Sequence, residues 1–143
     1  MSVYRLYSFT NYYLSSLQKG LQTAHVVSEM ALLNTIYREK HPRRPFADEG
    51  NAFEQWCRQD RTIIILNGGN SKQLETLYYD LQKFNLPYKP TFFREDEDSL
   101  GGAFTAVGIL VPSLYWKSED NEKWDHEEVV RVRQFLGKFQ LAV

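Results

Sequence analysis

The feature that most constrains the fold is the stretch of residues 61–94, RTIIILNGGNSKQLETLYYDLQKFNLPYKPTFFR. Residues 62–66 form a continuous apolar run rich in isoleucine, which is typical of a strand buried on both faces. Residues 88–94 are extended again after a helical pattern. Two strands joined by a crossover helix predict a parallel pair, with the rest of the chain covering it.

The helix between these strands has recognisable ends. Asn70 followed three residues later by Gln73 resembles a capping box, and apolar residues then recur at helical spacing up to Phe84. Asn85 suits a left-handed cap, and Pro87 prevents continuation. The turn before the helix, residues 68–71 (GGNS), is interpreted as a tight turn in preference to a phosphate-binding loop, because it matches no known glycine-rich motif.

The remaining elements complete an α/β pattern. Strands are predicted at residues 3–9 and 103–111, and helices at 14–38, 47–59 and from about 125 to the end. The short connection at residues 95–102 predicts that the last two strands are antiparallel neighbours. For the first helix we expect a buried seam of small and apolar residues: Leu14, Leu17, Leu21, Ala24, Ser28, Ala31 and Thr35. The expected fold is a three-layer α/β sandwich, a four-stranded mixed sheet with helices on both faces, in one domain over residues 1–143.

Composition excludes several classes of protein. With 143 residues, 43% hydrophobic and 15% aromatic, the chain has enough apolar side chains for one core. The net charge of −1 gives no overall attraction to nucleic acid. The single cysteine, Cys57, excludes an internal disulfide, and we expect it to be buried beside Phe53 and Trp56. No apolar run approaches membrane-spanning length, so we expect a soluble, cytoplasmic protein with no membrane partner, metal or cofactor.

Several short segments together resemble the archaeal and eukaryotic type of peptidyl-tRNA hydrolase. The resemblance covers nearly the whole chain and rests on the order and spacing of these segments, since each one alone is weak. They are residues 22–25 (QTAH), 53–56 (FEQW) before 61–65 (RTIII), 86–88 (LPY), 93–95 (FRE), 105–108 (TAVG) before Pro112, and 127–141.

This resemblance implies a chemistry and a site. The family cleaves the ester between a peptide and the 3′ end of tRNA. By position, Glu95 stands for the family's catalytic aspartate, Ser99 for its loop threonine and Thr105 for its strand threonine. Lys19 stands for a lysine of the first helix, with a register that differs by one.

The sequence also departs from the family pattern, and the departures concern charge. Residues 95–98 (EDED) place four carboxylates where the family has one aspartate followed by Ala-Gly. Residues 10–18 contain no lysine or arginine where the family is basic. Because phosphate contacts supply much of nucleic-acid affinity, this charge argues against efficient tRNA hydrolysis.

The predicted function is therefore the binding of a small nucleotide-type ligand in the cleft inherited from that family. The predicted ligand-binding residues are an aromatic pair, three basic or titratable side chains and two hydroxyls: Tyr12, Tyr13, Lys19, His25, Arg94, Ser99 and Thr105. Aromatic faces beside a helix N-terminus suit a base stacked above a phosphate. Sequestration of a signalling nucleotide, as in some viral counter-defence proteins, is one use of such a site.

Other interpretations of the same residues stay open. An active hydrolase would use Glu95, Ser99 and Thr105, with the tRNA 3′ end as partner. A structural domain with an inert cleft would have His25 as a packed histidine, Lys19 as a surface lysine and the acidic run as a solvated loop. Exposed tyrosines serve a homodimer contact as well as they serve a ligand. Gly20 in the first helix indicates close packing or the approach of a ligand.

Overall fold

The computed structural model describes residues 3–41, 52–86, 89–95, 102–115 and 126–142. Its strands are β1 (Tyr4–Asn11), β2 (Thr62–Gly69), β3 (Thr91–Arg94) and β4 (Phe104–Pro112). Its α-helices are α1 (Ser16–Lys40), α2 (Ala52–Gln55), α3 (Ser71–Leu81) and α4 (His126–Leu136), with a π-helical turn at Trp56–Asp60 and a 3-10 turn at Ser113–Tyr115. The fold is α/β, as predicted.

The four strands form one mixed sheet in the order β2-β1-β4-β3. β1 pairs in parallel with β2, and β4 is antiparallel to both β1 and β3. The predicted antiparallel pairing of β3 and β4 is confirmed. The predicted pairing of β2 with β3 is wrong, because these strands run in the same direction but lie at opposite edges of the sheet.

The apolar run of residues 62–66 is therefore not a central strand of the sheet. β2 is an edge strand whose first residues are exposed, so the prediction of a strand buried on both faces is wrong. Its outer edge is covered by the end of the chain: the Asn67 amide donates to Gln140 and the Ala142 amide donates to Ile65. β4 is buried along its whole length and fills the central position instead.

Two apolar clusters cover the sheet. The larger contains Tyr7 and Phe9 of β1, alternate residues of β4, and the apolar faces of α3 and α4. The smaller contains Leu6 with Val26 and Met30 of α1, and residues of α2 and the turn after it. Because side chains alternate along a strand, the two clusters lie on opposite faces of the sheet.

The starts of α1 and α3 agree with their capping chemistry. The left-handed cap predicted at Asn85 is wrong, because α3 ends at Leu81 and Asn85 does not have a positive φ. Asn70 and Gln73 exchange the two bonds of a capping box at the start of α3, as predicted, and Ser15 and Gln18 do the same for α1. The capping residue predicted for α4 at position 125 lies outside the described residues. The Glu128 carboxylate accepts a hydrogen bond from the Asn85 amide.

The second predicted helix is only partly described. Residues 47–51 lie outside the described part, and the α-helix that follows is short. Phe53 and Trp56 are buried, as predicted, and the Trp56 indole donates to the Thr62 carbonyl. Cys57 is exposed, contrary to expectation, because it lies on the outer side of the π-helical turn.

The largest correction concerns the face of α1. The residues buried against the sheet are mostly polar: Lys19, Gln22, Thr23, Val26, Met30 and Asn34. The predicted apolar seam instead points to solvent, and Leu17 and Leu21 in it are 75% and 53% exposed. The periodicity of the seam is helical, but the sheet selects the opposite face. A Cβ on Gly20 would meet nothing within 4 Å, so close packing is not its role in this chain.

Candidate functional site

Two irregularities in the sheet lie at one end of β1. Between β1 and β2 the register shifts after Thr10, so that Asn11 pairs with Gly69 and residue 68 is left over. Between β3 and β4 the register shifts after Phe93, so that residue 105 is left over. Because Thr10 pairs with Ala106 of β4, both bulges lie at the same end of the sheet. Bulges of this kind redirect side chains and are common beside functional sites.

The bulge in β4 turns the Thr105 hydroxyl towards α1. Thr105 is 1% exposed, and its hydroxyl donates to Gln22 Oε1 at 2.9 Å. The Gln22 amide nitrogen donates in turn to Glu95 Oε1 at 2.8 Å. A hydrogen-bonded chain thus runs from β4 through α1 to the residue that follows β3. It holds the Glu95 carboxylate through Oε1, and within the described residues no hydrogen bond engages Oε2.

Lys19 lies one turn before Gln22 on the same buried face of α1. The residue is only 7% exposed, and within the described residues no hydrogen bond or ion pair engages its ammonium group. The first turn of α1 carries no acidic residue. The stem of Lys19 is buried while its ammonium keeps contact with solvent, so an anion from solvent can reach this group and form an ion pair.

Further buried polar residues surround this end of the sheet. The Ser8 and Thr23 hydroxyls are 2.7 Å apart and join β1 to α1. The Thr10 hydroxyl donates to the Leu66 carbonyl, and the Asn11 amide nitrogen donates to the Phe104 carbonyl at 3.3 Å. These bonds satisfy the hydroxyls of Ser8, Thr10 and Thr23, whereas the neighbouring Asn67 Oδ1 is buried without a hydrogen-bond partner among the described residues.

The two predicted tyrosines lie on the loop between β1 and α1. The Tyr12 amide donates to the Gly69 carbonyl and the Tyr13 amide donates to Asn11 Oδ1, so the loop is tied to the sheet. The rings have centroids 4.0 Å apart with planes at 33°. A hydrogen bond with the Tyr13 hydroxyl raises the pKa of the Tyr12 hydroxyl. Because the rings contact each other, a base would stack on an outer ring face and not between them.

His25 and Arg94 both lie against aromatic rings near β3. The exposed His25 imidazole stacks on Phe93 with centroids 4.3 Å apart and planes at 7°. The Arg94 guanidinium lies 5.3 Å above the centre of the Phe104 ring, and its Nε donates to the Gly102 carbonyl. Both side chains are thus held in one orientation at the rim of the polar end.

The structure brings together some of the predicted site residues. The Gln22 side chain of α1 joins Glu95 to Thr105 through hydrogen bonds. Lys19 lies three residues before Gln22 on the same face of the helix. Ser99 and the acidic residues 96–98 lie outside the described residues, so their contribution stays a prediction. Gln22 and Asn11 are members of the site that sequence reasoning missed. A signal for Gln22 existed, because it lies three residues after Lys19 and so on the same helical face.

The glycine turn at the end of β2 has a packing explanation. A Cβ on Gly68 would overlap the Leu74 side chain and contact Phe9, while Gly69 has a positive φ of 91°. Glycine is needed at these positions for the close approach of α3 and for the backbone conformation. These contacts favour the tight-turn interpretation of residues 68–71.

Comparisons with known proteins add no identity. No protein-family model matches the chain, and a search of curated proteins finds no significant match. Across the described residues, no three histidine, cysteine, aspartate or glutamate side chains are grouped so as to hold a metal ion. None of the helices in that part of the chain combines the length and apolar character needed to cross a membrane.

Proposed function

We propose that the protein binds a small nucleotide-type ligand at the polar end of the sheet and sequesters it without efficient catalysis. The observation that carries the proposal is Lys19, whose stem is buried and whose ammonium has no partner within the described residues. A phosphate is the ligand group that best fits this environment, because it is anionic and accepts several hydrogen bonds. The N-terminal turn of α1 adds a favourable dipole at the same place.

The tyrosine pair supplies the second half of the recognition. Tyr13 is 74% exposed and Tyr12 is partly exposed, and the loop that carries them leads directly into the capped start of α1. Stacking of a base on an aromatic face contributes about 1–3 kcal/mol. A ligand with a phosphate at Lys19 and a base at Tyr13 would use both features, whereas a simple inorganic anion would use one.

Isothermal titration calorimetry tests this proposal with AMP, GMP, ADP, a dinucleotide and inorganic phosphate. We expect at least one nucleotide to bind more tightly than phosphate, and native mass spectrometry of the purified protein to show a retained ligand. Lys19→Met should weaken binding by about 10–100-fold, since a hydrogen bond to a charged group contributes about 1.5–3 kcal/mol. Lys72→Met, which removes an exposed lysine of α3, is the matched control.

The proposal fails if no nucleotide binds below millimolar concentration, or if Lys19→Met binds as well as the unaltered protein. Tyr13→Ala separates the two halves of the site. It should reduce the affinity for nucleotides and leave the affinity for inorganic phosphate unchanged.

A second candidate function is hydrolysis of the ester in peptidyl-tRNA. The observation that favours it is the chain from Thr105 through Gln22 to Glu95, which holds the carboxylate with one oxygen left to orient water. If this candidate is correct, we also expect the chain to have the three-layer arrangement of that hydrolase family. A peptidyl-tRNA hydrolysis assay tests this candidate. If the protein cleaves peptidyl-tRNA, and if Glu95→Gln abolishes the cleavage while the exposed control Glu75→Gln does not, this function replaces the first proposal.

A further inference from the structure

One side chain at the polar end of the sheet makes no hydrogen bond within the described residues. Asn67 directly follows the apolar run of β2, although asparagine is depleted in strands. Its Oδ1 atom is buried without a partner, and its Nδ2 atom is also unbonded but keeps contact with solvent. Buried polar atoms are nearly always hydrogen-bonded, so this exception indicates a partner that the protein itself does not supply.

The pairing of β1 with β2 places Asn67 on the side of the sheet that α1 covers. Asn67 lies beside Thr10 in the parallel register, so the two side chains point to the same face, about 4.8 Å apart along the sheet. Asn34 and Thr91 also have a buried, unpaired oxygen. Asn34 lies four turns beyond Lys19 on α1, however, and Thr91 belongs to the opposite edge strand. Asn67 is therefore the residue of this kind that lies at the proposed ligand site.

The position of α1 brings Lys19 to the same point. The helix begins after the end of β1 and runs back over it, and the Thr23 hydroxyl meets the Ser8 hydroxyl. Lys19 lies four residues before Thr23, about 6 Å along the helix axis, and Thr10 lies two residues after Ser8, about 7 Å along the strand. Lys19 therefore lies above Thr10, next to the position of Asn67.

The tyrosine loop lies close to Asn67 as well. The Tyr12 amide donates to the Gly69 carbonyl, which is two residues after Asn67 on β2. Asn67 and Gly69 are on the same side of the strand, because side chains alternate. Asn67 is thus close both to the cation that would hold a phosphate and to the loop whose rings would stack on a base.

A free carboxamide is complementary to an edge that carries a donor beside an acceptor. A phosphate presents only acceptors and would leave Oδ1 unpaired. Adenine presents its N6 amine beside N7, which is the usual bidentate partner of asparagine, whereas the same edge of guanine carries two acceptors. Because no hydrogen bond holds the Asn67 amide, it can turn about its Cβ–Cγ bond and present both atoms to a base.

We propose that Asn67 binds the edge of the base and that the ligand is therefore an adenine nucleotide. This inference rests on the proposed function, since it takes the phosphate to lie at Lys19 and the base to lie on the tyrosines. It adds the identity of the base, which neither Lys19 nor an aromatic ring determines.

Isothermal titration calorimetry of the full chain tests the inference with AMP, GMP, inorganic phosphate and purine riboside 5′-monophosphate, which lacks the N6 amine. We expect AMP to bind about tenfold more tightly than GMP and the purine analogue. Asn67→Leu, which keeps the size of the side chain, should weaken AMP about tenfold and remove its advantage over the analogue. The affinity for phosphate should not change. Asn85→Leu, at an exposed asparagine after α3, is the matched control.

Urea denaturation without ligand separates binding from a structural role. Asn67→Leu loses no hydrogen bond, so its midpoint should be equal to that of the unaltered protein or higher. A lower midpoint would show that Asn67 serves the fold and would overturn the inference.

The outcomes also distinguish this inference from the proposed function. If no nucleotide binds, both fail together. If nucleotides bind through Lys19 but GMP or the purine analogue binds as tightly as AMP, the assignment of adenine to Asn67 is refuted and the proposed function stands. The same conclusion follows if Asn67→Leu binds AMP as tightly as the unaltered protein.

Discussion

The two faces of the central strands are built from different side chains. The face that carries Tyr7 and Phe9 is apolar throughout and packs against α3 and α4. The opposite face begins with Leu6 and continues with Ser8 and Thr10, both fully buried under or beside α1. Apolar burial is the main stabilising contribution to folding, whereas buried polar groups at best offset their desolvation. The comparison indicates that the apolar face maintains the fold, and the polar end of the other face is where the proposed ligand would bind.

The largest effect is expected on the apolar face. Phe9 is fully buried and its ring contacts Phe139 edge to face at 4.8 Å. Phe9→Ala should lower the free energy of unfolding by about 3–5 kcal/mol, through lost burial and a residual cavity. Urea denaturation measures this change. A loss below about 1 kcal/mol would contradict the role given to this face.

A smaller loss is expected where α1 approaches the sheet most closely. A Cβ on Gly108 would overlap the Val26 side chain and contact Met30. Gly108→Ala should therefore cost about 1–3 kcal/mol through overpacking. Gly20→Ala, at a glycine whose Cβ would meet nothing, is the matched control and should not destabilise the monomer. Equal stability of Gly108→Ala and the unaltered protein would show that α1 is loosely docked.

The hydrogen-bonded chain from Thr105 through Gln22 to Glu95 should contribute still less to the free energy of unfolding. Thr105→Val keeps the shape of the side chain but leaves Gln22 Oε1 without its donor, which should cost about 1 kcal/mol. Combining it with Gln22→Leu should cost less than the sum of the single changes, because both partners are then removed. Strict additivity in urea denaturation would show that the two side chains act independently.

The smallest effect concerns the ion pair between α1 and α2. Hydrogen bonds from Arg38 lower the pKa of Glu54, burial opposes them, and a hydrogen bond from Asn34 also lowers it. A carboxyl group with a lowered pKa stabilises the folded state above its unfolded pKa. That stability is lost as the pH falls through the folded value. As the pH is lowered below about 4.5, the free energy of unfolding of Glu54→Gln should therefore decrease less than that of the unaltered protein, as measured by urea denaturation. Identical pH profiles would contradict this assignment.

The sequence predicts the helices and strands of this fold better than it predicts which strands are neighbours and which helix faces are buried. The capping box of α3, the helix between β2 and β3, and the antiparallel pair of β3 and β4 follow from local patterns. The apolar run of β2 is local too, but its place at an edge depends on the chain terminus that pairs with it. The bulge at Thr105 depends on the register of two strands, and register has no signal within either strand alone.

The prediction of the buried face of α1 is wrong for a related reason. Hydrophobic periodicity identifies an apolar side and assumes that it is buried. Here the buried side carries Lys19, Gln22 and Thr23, and the bonds of Gln22 and Thr23 to Glu95, Thr105 and Ser8 exist only after the sheet has formed. Polar residues on the buried face of α1 and apolar residues on its exposed face are the two departures from local rules, and the first accompanies the proposed function.

The central claim is that Lys19 is kept for a ligand and not for stability. The free energy of unfolding of Lys19→Met in the absence of ligand tests this claim directly. The stem of Lys19 is buried and its ammonium has no partner among the described residues, so an apolar side chain of similar length should leave the stability unchanged or raise it by about 1 kcal/mol. A loss of more than about 1 kcal/mol would show that Lys19 stabilises the fold, and would contradict the account.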